Sequence, residues 1–347
     1  MEVLLLSSTF LPNAMSWKIL ATAGPITGVG QQSAESLKKA GCQIALPKSF
    51  RVHSAEELKP LLPGIQAIYA GMDKYTAELL ASPEAAELKI ISRWGVGYDS
   101  IDVNAATAQG IVIAYTPGML DEAVADYTFA LLLAVARRIH SAHSSMAAGN
   151  WTPFWGHDIH GKTLGIVGCG RIGTAVARRA AGFNLRVLAH DPFPHDAAKE
   201  LGVEFVPLDV LLAQSDFVSL HASVTPETQG LIGDTHLKMM KPDAYLINAG
   251  RGALVDETAL IEALQSGTIA GAAVDTYIEE PLPAEHPLRA AKNLLMAPHQ
   301  ASFTHETGAK VSTACAQAIL DLMNGQRPKW VVNPEVFTSS RLRASVK

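Results

Sequence analysis

Hydrophobic and polar positions along the chain follow two alternating rhythms. Short, nearly uninterrupted apolar runs recur at Lys18–Ala21, Gln43–Ala45, Ala67–Ala70, Ile90–Ser92 and Val112–Ala114. Runs of that length predict strands covered on both faces, as in a parallel sheet. Between them apolar residues return every three or four positions, as in Gln31–Ala40 and around Glu78–Leu80, which predicts helices. A long helical pattern runs from Asp121, a candidate N-cap, to Ala147, and an aromatic-rich loop, Trp151-Thr-Pro-Phe-Trp-Gly, follows it. The strand rhythm then resumes at Thr163–Val167, Leu185–Ala189, Phe217–Leu220, Tyr245–Asn248, Gly271–Val274 and Leu294–Ala297. A last helical pattern covers Glu306 to Met323. This alternation predicts an α/β chain with two doubly wound parallel-sheet domains and a cleft between them.

The turn after Thr163–Val167 carries the most specific signal. It reads Gly168-Cys-Gly170-Arg171-Ile172-Gly173 and opens directly into a helical pattern, Thr174-Ala-Val-Ala-Arg-Arg-Ala-Ala. In a dinucleotide fold the first glycine makes the turn and the second admits the pyrophosphate. The third lets helix pack on strand. The amides and positive end of the helix then face phosphate charge. The next strand ends in Asp191, placed to accept hydrogen bonds from the adenosine ribose and to repel a 2′-phosphate. No Lys or Arg follows in Pro192-Phe193-Pro194-His195, so NAD is expected rather than NADP. The domains are therefore read as Rossmann-like and flavodoxin-like. Residues 117–304 form the NAD-binding one, and 16–116 with 305–337 the substrate-binding one. Residues 1–15 read as an N-terminal extension, with Met15 a candidate start, and 338–347 as a flexible basic tail.

Chemistry-bearing residues follow three of the later strands. Tyr245–Asn248 leads into Ala249-Gly250-Arg251-Gly252, Gly271–Val274 into Asp275 and Glu279-Glu280-Pro281, and Leu294–Ala297 into Pro298-His299-Gln300. Ligands bind beyond the carboxyl ends of parallel strands. An Arg fork fits the carboxylate of a 2-keto acid. A His can give its keto oxygen a proton, and a nearby carboxylate favours the imidazolium that does so. Taken singly, such an Arg is usually a surface ion partner and such a His a cap or core residue. The case for Arg251, Glu280 and His299 is their joint placement.

Composition narrows the class. The net charge of −5 gives no nucleic-acid surface, and 48% hydrophobic residues suffice for two cores. The apolar stretch Tyr127 to Ala136 lies between Asp126 and Arg137 and is too short to span a membrane. Residues 1–15 lack the basic start of a signal peptide. Cys42, Cys169 and Cys315 are odd in number and far apart, and His157 and His160 lack companions. Neither disulfides nor a metal site is expected, and the chain reads as cytoplasmic.

Gly-Cys-Gly-Arg-Ile-Gly, Ile-Asn-Ala-Gly-Arg-Gly-Ala-Leu-Val-Asp-Glu, the run Asp275 to Pro281 and Ala-Pro-His-Gln-Ala-Ser together resemble the D-isomer-specific 2-hydroxyacid dehydrogenases, nearest the 3-phosphoglycerate dehydrogenase branch. The resemblance covers residues 16–336. It implies interconversion of a D-2-hydroxy acid and its 2-keto acid with NAD. Arg251 becomes the substrate arginine, Glu280 the acid orienting the histidine, and His299 the acid/base. Asp275 becomes the nicotinamide carboxamide contact, with Ala249, Arg171 and Ile172 beside the cofactor. Val96 and Gly97, in Arg93-Trp-Gly-Val-Gly-Tyr-Asp, become the substrate-domain loop. A homodimer pairing through the NAD-binding domains is implied, with the helix from Asp121 contributing.

Two departures bear on substrate. Phosphoglycerate dehydrogenases typically place a basic residue where this chain has Ala70-Gly71-Met72, and Lys74 is the nearest cation. An unpaired phosphate dianion would be costly there. Trp94 either narrows the pocket or serves as a structural residue. Feedback through a C-terminal regulatory domain, of the kind some phosphoglycerate dehydrogenases carry, is not expected. Formate and phosphite dehydrogenases and corepressor-like NAD(H) sensors share this architecture. A phosphite enzyme would want a further cation, for which Arg93 and Lys74 are the candidates, and a sensor would want partner-binding tails.

Overall fold

The computed structural model describes residues 4–5 and 16–346, in two compact units: Met1–Leu120 with Thr304–Lys347, and Asp121–Phe303. Apart from Leu4–Leu5, the extension read over residues 1–15 lies outside the described residues.

In the first unit the strands are β1 (Leu4–Leu5), β2 (Lys18–Ala21), β3 (Gln43–Leu46), β4 (Ala67–Ala70), β5 (Ile90–Arg93) and β6 (Val112–Ala114). They lie in the order β1-β3-β2-β4-β5-β6. All pairs are parallel except β1 on β3, a two-residue antiparallel edge. Successive β2 side chains feed two cores, because the strand period is two. Ile19 and Ala21 pack with Leu37, Tyr69 and Ile319, while Leu20 packs with Leu58, Leu62 and Ile68. The helix His305–Met323 thus supplies one face of this unit through Val311, Cys315 and Ile319.

Past β4, the Asp73 carboxylate is fully buried. It accepts from Thr22 Oγ1 at 2.5 Å and His53 N at 2.9 Å, with His53 Nδ1 at 2.8 Å. Burial pushes its pKa up, but the bonds from His53 and Thr22 outweigh that and hold it below the ordinary carboxylate value. A carboxyl depressed by folding stabilises the fold above its unfolded pKa, about 3.9, and loses that contribution as pH falls through the folded one. We expect Asp73→Asn to cost about 2–4 kcal/mol at neutral pH. The gap in urea midpoint between variant and wild type should close on acidification below about pH 3.9; a gap independent of pH would refute the assignment.

The tail from Thr338 is packed rather than loose. Arg343 Nη1 donates to the carbonyls of Ala85 (2.6 Å) and Leu88 (3.2 Å), and its Nη2 to Gln109 Oε1 (3.0 Å). Leu342, Ala344 and Val346 lie against the core. A basic composition hid these contacts, because they use carbonyls distant in sequence.

The second unit holds β7 (Thr163–Val167), β8 (Arg186–His190), β9 (Glu204–Phe205), β10 (Phe217–Leu220), β11 (Tyr245–Asn248), β12 (Gly271–Val274) and β13 (Leu294–Met296). They form one all-parallel sheet in the order β13-β12-β11-β10-β7-β8-β9. The strand order reverses between β7 and β10, which makes the end of β7 the topological switch point. The helical pattern from Asp121 is two helices, Asp121–Ala136 and Ile139–Ala147, with Asp121 inside the first. Arg138 between them is left-handed at φ 52°. His157 N takes the Ala136 carbonyl at 2.9 Å, and a Cβ on Gly156 would lie 2.4 Å from that oxygen. The loop therefore occupies the acceptor that a continuing helix would use. Among the described residues no helix is long and apolar enough to cross a membrane.

Candidate active site

The three glycines after β7 have different surroundings. Gly168 has φ 86°, and a Cβ there would meet Ala222 N at 2.3 Å, so the turn is pressed against the chain leaving β10. A Cβ on Gly173 would meet the Gly168 carbonyl at 2.4 Å, which fixes helix on strand. Around Gly170 a Cβ would meet nothing within 4 Å. Gly170 also caps the helix Arg171–Ala180 without a side-chain bond, leaving the first amides unclaimed by any capping side chain. An open glycine before uncapped amides is a cradle that fits a dinucleotide pyrophosphate. Arg171 and Ile172 supply two of those amides. Asp191 Oδ2 accepts from Cys169 N at 2.8 Å, tying the end of the next strand to the turn. Burial pushes the Cys169 thiol up to about 11, so it remains protonated.

Three neighbouring strand ends carry the remaining groups. With strands about 4.8 Å apart, the ends of β11 and β13 stand about 10 Å from each other with β12 between. After β11, buried Asn248 organises the turn: its Oδ1 accepts from Gly250 N (3.1 Å) and its Nδ2 donates to the Arg251 carbonyl (2.9 Å). Ala249 is buried in this turn, and Arg251 Nη1 donates to the Gly250 carbonyl at 2.8 Å. A Cβ on Gly252 would lie 2.0 Å from the Tyr277 carbonyl carbon, so the arginine loop rests directly on the loop after β12. Only glycine permits that approach.

His299 Nδ1 stands 2.7 Å from Glu280 Oε2, and Glu280 Oε1 accepts from Tyr277 N at 2.9 Å. Both side chains are partly buried. The His299 backbone is left-handed at φ 52°, uncommon for a residue with a side chain. Asp275 maintains that conformation. Its carbonyl accepts from His299 N (2.7 Å), and its carboxylate oxygens accept from Gln300 N (2.9 Å) and Ala301 N (2.8 Å). Burial pushes the Asp275 carboxyl up, against the pull of those two amides. With no exposed surface and both oxygens committed, Asp275 positions the His299 loop.

Arg251, Asp275, Glu280 and His299 are thus brought to one edge of one sheet. Val96 and Gly97 belong to the other unit, half-buried beyond β5, where Thr116 N (3.1 Å) and Oγ1 (3.0 Å) both clamp the Gly95 carbonyl. Trp94 is a core residue there, its indole N–H donating to Ser312 Oγ at 3.0 Å. Sequence reasoning missed the supporting residues Asn248, Gly252, Tyr277 and Tyr127, whose hydroxyl accepts from Gln300 Nε2 at 2.7 Å. The glycine directly after Arg251 was a signal within reach, since a missing side chain marks a close approach of backbone.

Residues 129–301 match the family model described as D-isomer specific 2-hydroxyacid dehydrogenase, NAD binding domain. A glyoxylate reductase of Korarchaeum cryptofilum is 47% identical over 259 residues, 73% of this chain and 78% of that one. A D-3-phosphoglycerate dehydrogenase of Archaeoglobus fulgidus is 38% identical over 309 residues, 88% of this chain and 58% of that one. Among solved structures, the TT0316 protein from Thermus thermophilus superposes with a TM-score of 0.81 at 36% identity, covering 91% of this chain and 99% of that one.

Proposed function

The chain belongs to the D-isomer-specific 2-hydroxyacid dehydrogenases, NAD-dependent oxidoreductases acting on CH–OH groups, and from that premise we propose that it interconverts a small, uncharged-side-chain 2-keto acid of the glyoxylate or hydroxypyruvate type with its D-2-hydroxy acid. The observation that carries the reading is the His299–Glu280 pair at 2.7 Å beside the Arg251 turn. Arg251 binds the substrate carboxylate. A reduced nicotinamide held on the Gly168–Gly173 turn would be the source of the hydride for C2. His299 Nε2, the nitrogen not engaged by Glu280, gives the keto oxygen its proton and recovers it in the reverse direction. Glu280 fixes the ring and stabilises the imidazolium.

Substrate size is supported by the name of the Korarchaeum relative and by the segment after β4. There Gly71-Met72 lead into the buried carboxylate of Asp73, an unsuitable neighbourhood for a phosphate dianion. The test is NADH consumption across glyoxylate, hydroxypyruvate, pyruvate, 2-ketoisocaproate, phenylpyruvate and 3-phosphohydroxypyruvate, with NADPH as control. Turnover of one of the small acids is expected. Preference for 3-phosphohydroxypyruvate would overturn the substrate assignment, and silence with NADH still bound would overturn the reaction.

The working form is a homodimer through the NAD-binding units. Support comes from an apolar surface around the helix Ile139–Ala147, which has no buried residue. Ile139 is 55% exposed, Met146 53%, Trp151 87% and Trp155 96%. So many large apolar side chains are the composition of an interface core. Sedimentation should give twice the chain mass, and Trp151→Ser with Trp155→Ser should give monomer. A wild-type monomer would refute it.

A further inference from the structure

A cavity of about 410 Å³ opens beside the first sheet, with Trp17, Gln66, Glu87, Lys89 and Arg343 in its lining. Trp17, Gln66 and Lys89 immediately precede β2, β4 and β5, whereas Val96 and Gly97 follow the far end of β5. The cavity therefore lies at the opposite end of the strands from the loop read as facing substrate. Two of its side chains are cations that pair with no carboxylate among the described residues. Arg343 is half-buried and donates to neutral acceptors: Nη1 to the Ala85 and Leu88 carbonyls, Nη2 to Gln109 Oε1. Its Nε and the second Nη2 hydrogen make no hydrogen bond among the described residues. Burial without a counter-charge pulls its pKa down. Arg179, likewise half-buried, is held instead by Glu122 and Asp126. Lys89 Nζ is anchored too, donating to the Arg343 carbonyl at 3.1 Å and lying 5.7 Å from the centre of the Trp17 ring. Glu87, the acid in the lining, is exposed and accepts from Gln66 Nε2 at 2.6 Å.

We propose that this cavity binds a small organic phosphate, with the phosphate between Arg343 and Lys89 and the carbon portion toward Trp17. A guanidinium offers directed N–H donors and an ammonium a mobile point charge, and both suit phosphate oxygens. Two cations match a doubly charged group, where a single carboxylate would need only one. The volume exceeds that of an inorganic phosphate and falls in the range of small-molecule sites. Both cations are already held by backbone carbonyls, so they lose little freedom on binding. Occupancy would join the tail from Thr338 to the segments entering β2 and β5, and so stabilise the first unit.

The experiment is calorimetric titration of the full chain, saturated with NADH to occupy the Gly168–Gly173 turn. The probes are glycerol 3-phosphate, inorganic phosphate, succinate and glycerol. Glycerol 3-phosphate should bind most tightly, inorganic phosphate and succinate more weakly and glycerol not at all, with affinity falling as salt is added. Lys89→Gln and Arg343→Gln should each raise the Kd for glycerol 3-phosphate about tenfold. Lys89→Gln keeps the bonds from Arg343 to Ala85, Leu88 and Gln109, so its unliganded melting temperature should match the wild type. It decides the matter should Arg343→Gln fail to fold. No binding of glycerol 3-phosphate to the wild type would overturn the proposal. So would unchanged affinity in Lys89→Gln, which would place the ligand elsewhere, such as beside Arg251. Succinate or inorganic phosphate binding as tightly as glycerol 3-phosphate would overturn it as well, since the site would then not select an organic phosphate.

Discussion

His299→Ala lowers turnover by roughly 10²–10⁴-fold, the range expected when a general acid/base is removed, while NADH affinity stays within a factor of about two. The split follows from geometry. His299 lies beyond β13, whereas the cradle for the pyrophosphate lies at the end of β7, four positions away in the sheet. Alanine, however, also meets the left-handed backbone at φ 52°, so lost activity alone could reflect a collapsed loop. His299→Asn separates the two effects. Asparagine tolerates that conformation better than alanine and keeps the backbone bonds to Asp275, yet it cannot transfer the proton. Both variants should therefore lose turnover alike in initial-rate measurements. Recovery of substantial activity in the asparagine variant would show that the loop, and not the imidazole, was essential.

Arg251→Ala should reduce kcat/KM for the keto acid by about 10²–10³-fold, the scale of losing a charge-assisted, two-pronged carboxylate contact. Arg251→Lys should rescue only a minor part, because an ammonium presents a point charge where a planar fork is required. The loop itself should survive, since it is organised by Asn248 and by the contact of Gly252 with Tyr277. A keto-acid analogue lacking the carboxylate provides the control: it should be turned over equally poorly by wild type and variant. An unaltered KM in Arg251→Ala would remove the arginine from substrate binding.

What the amino-acid pattern disclosed, and what it concealed, divides along physical lines. The glycine turn and the three strand ends were legible because backbone geometry there restricts residue type. The strands buried on both faces were legible to within a residue because they leave an unbroken apolar run, whereas the two-residue edges β1 and β9 leave none and were not read. The helix break at Arg138 was not, since neither Gly nor Pro marks it and its cause is a loop that arrives from Gly156 and His157. The bonds by which Asp275 holds the His299 loop were hidden for a similar reason. An acid at a strand end suggests a ligand, and only the structure shows Gln300 and Ala301 using both its oxygens. Trp94 and Arg343 likewise owe their roles to partners far along the chain: Ser312 for one, Ala85 and Leu88 for the other.

The two ends of the chain build one unit and its middle builds the other. During synthesis that order has a cost in time. The sheet containing β2, β4 and β5 leaves the ribosome before the middle unit, but the helix His305–Met323 that covers Ile19 and Tyr69 leaves only after it. At ordinary elongation rates the delay is on the order of tens of seconds. The middle unit can meanwhile fold from contiguous sequence. The nascent first sheet waits with one apolar face uncovered, which makes it the natural client of a chaperone and the part whose yield falls first on warming.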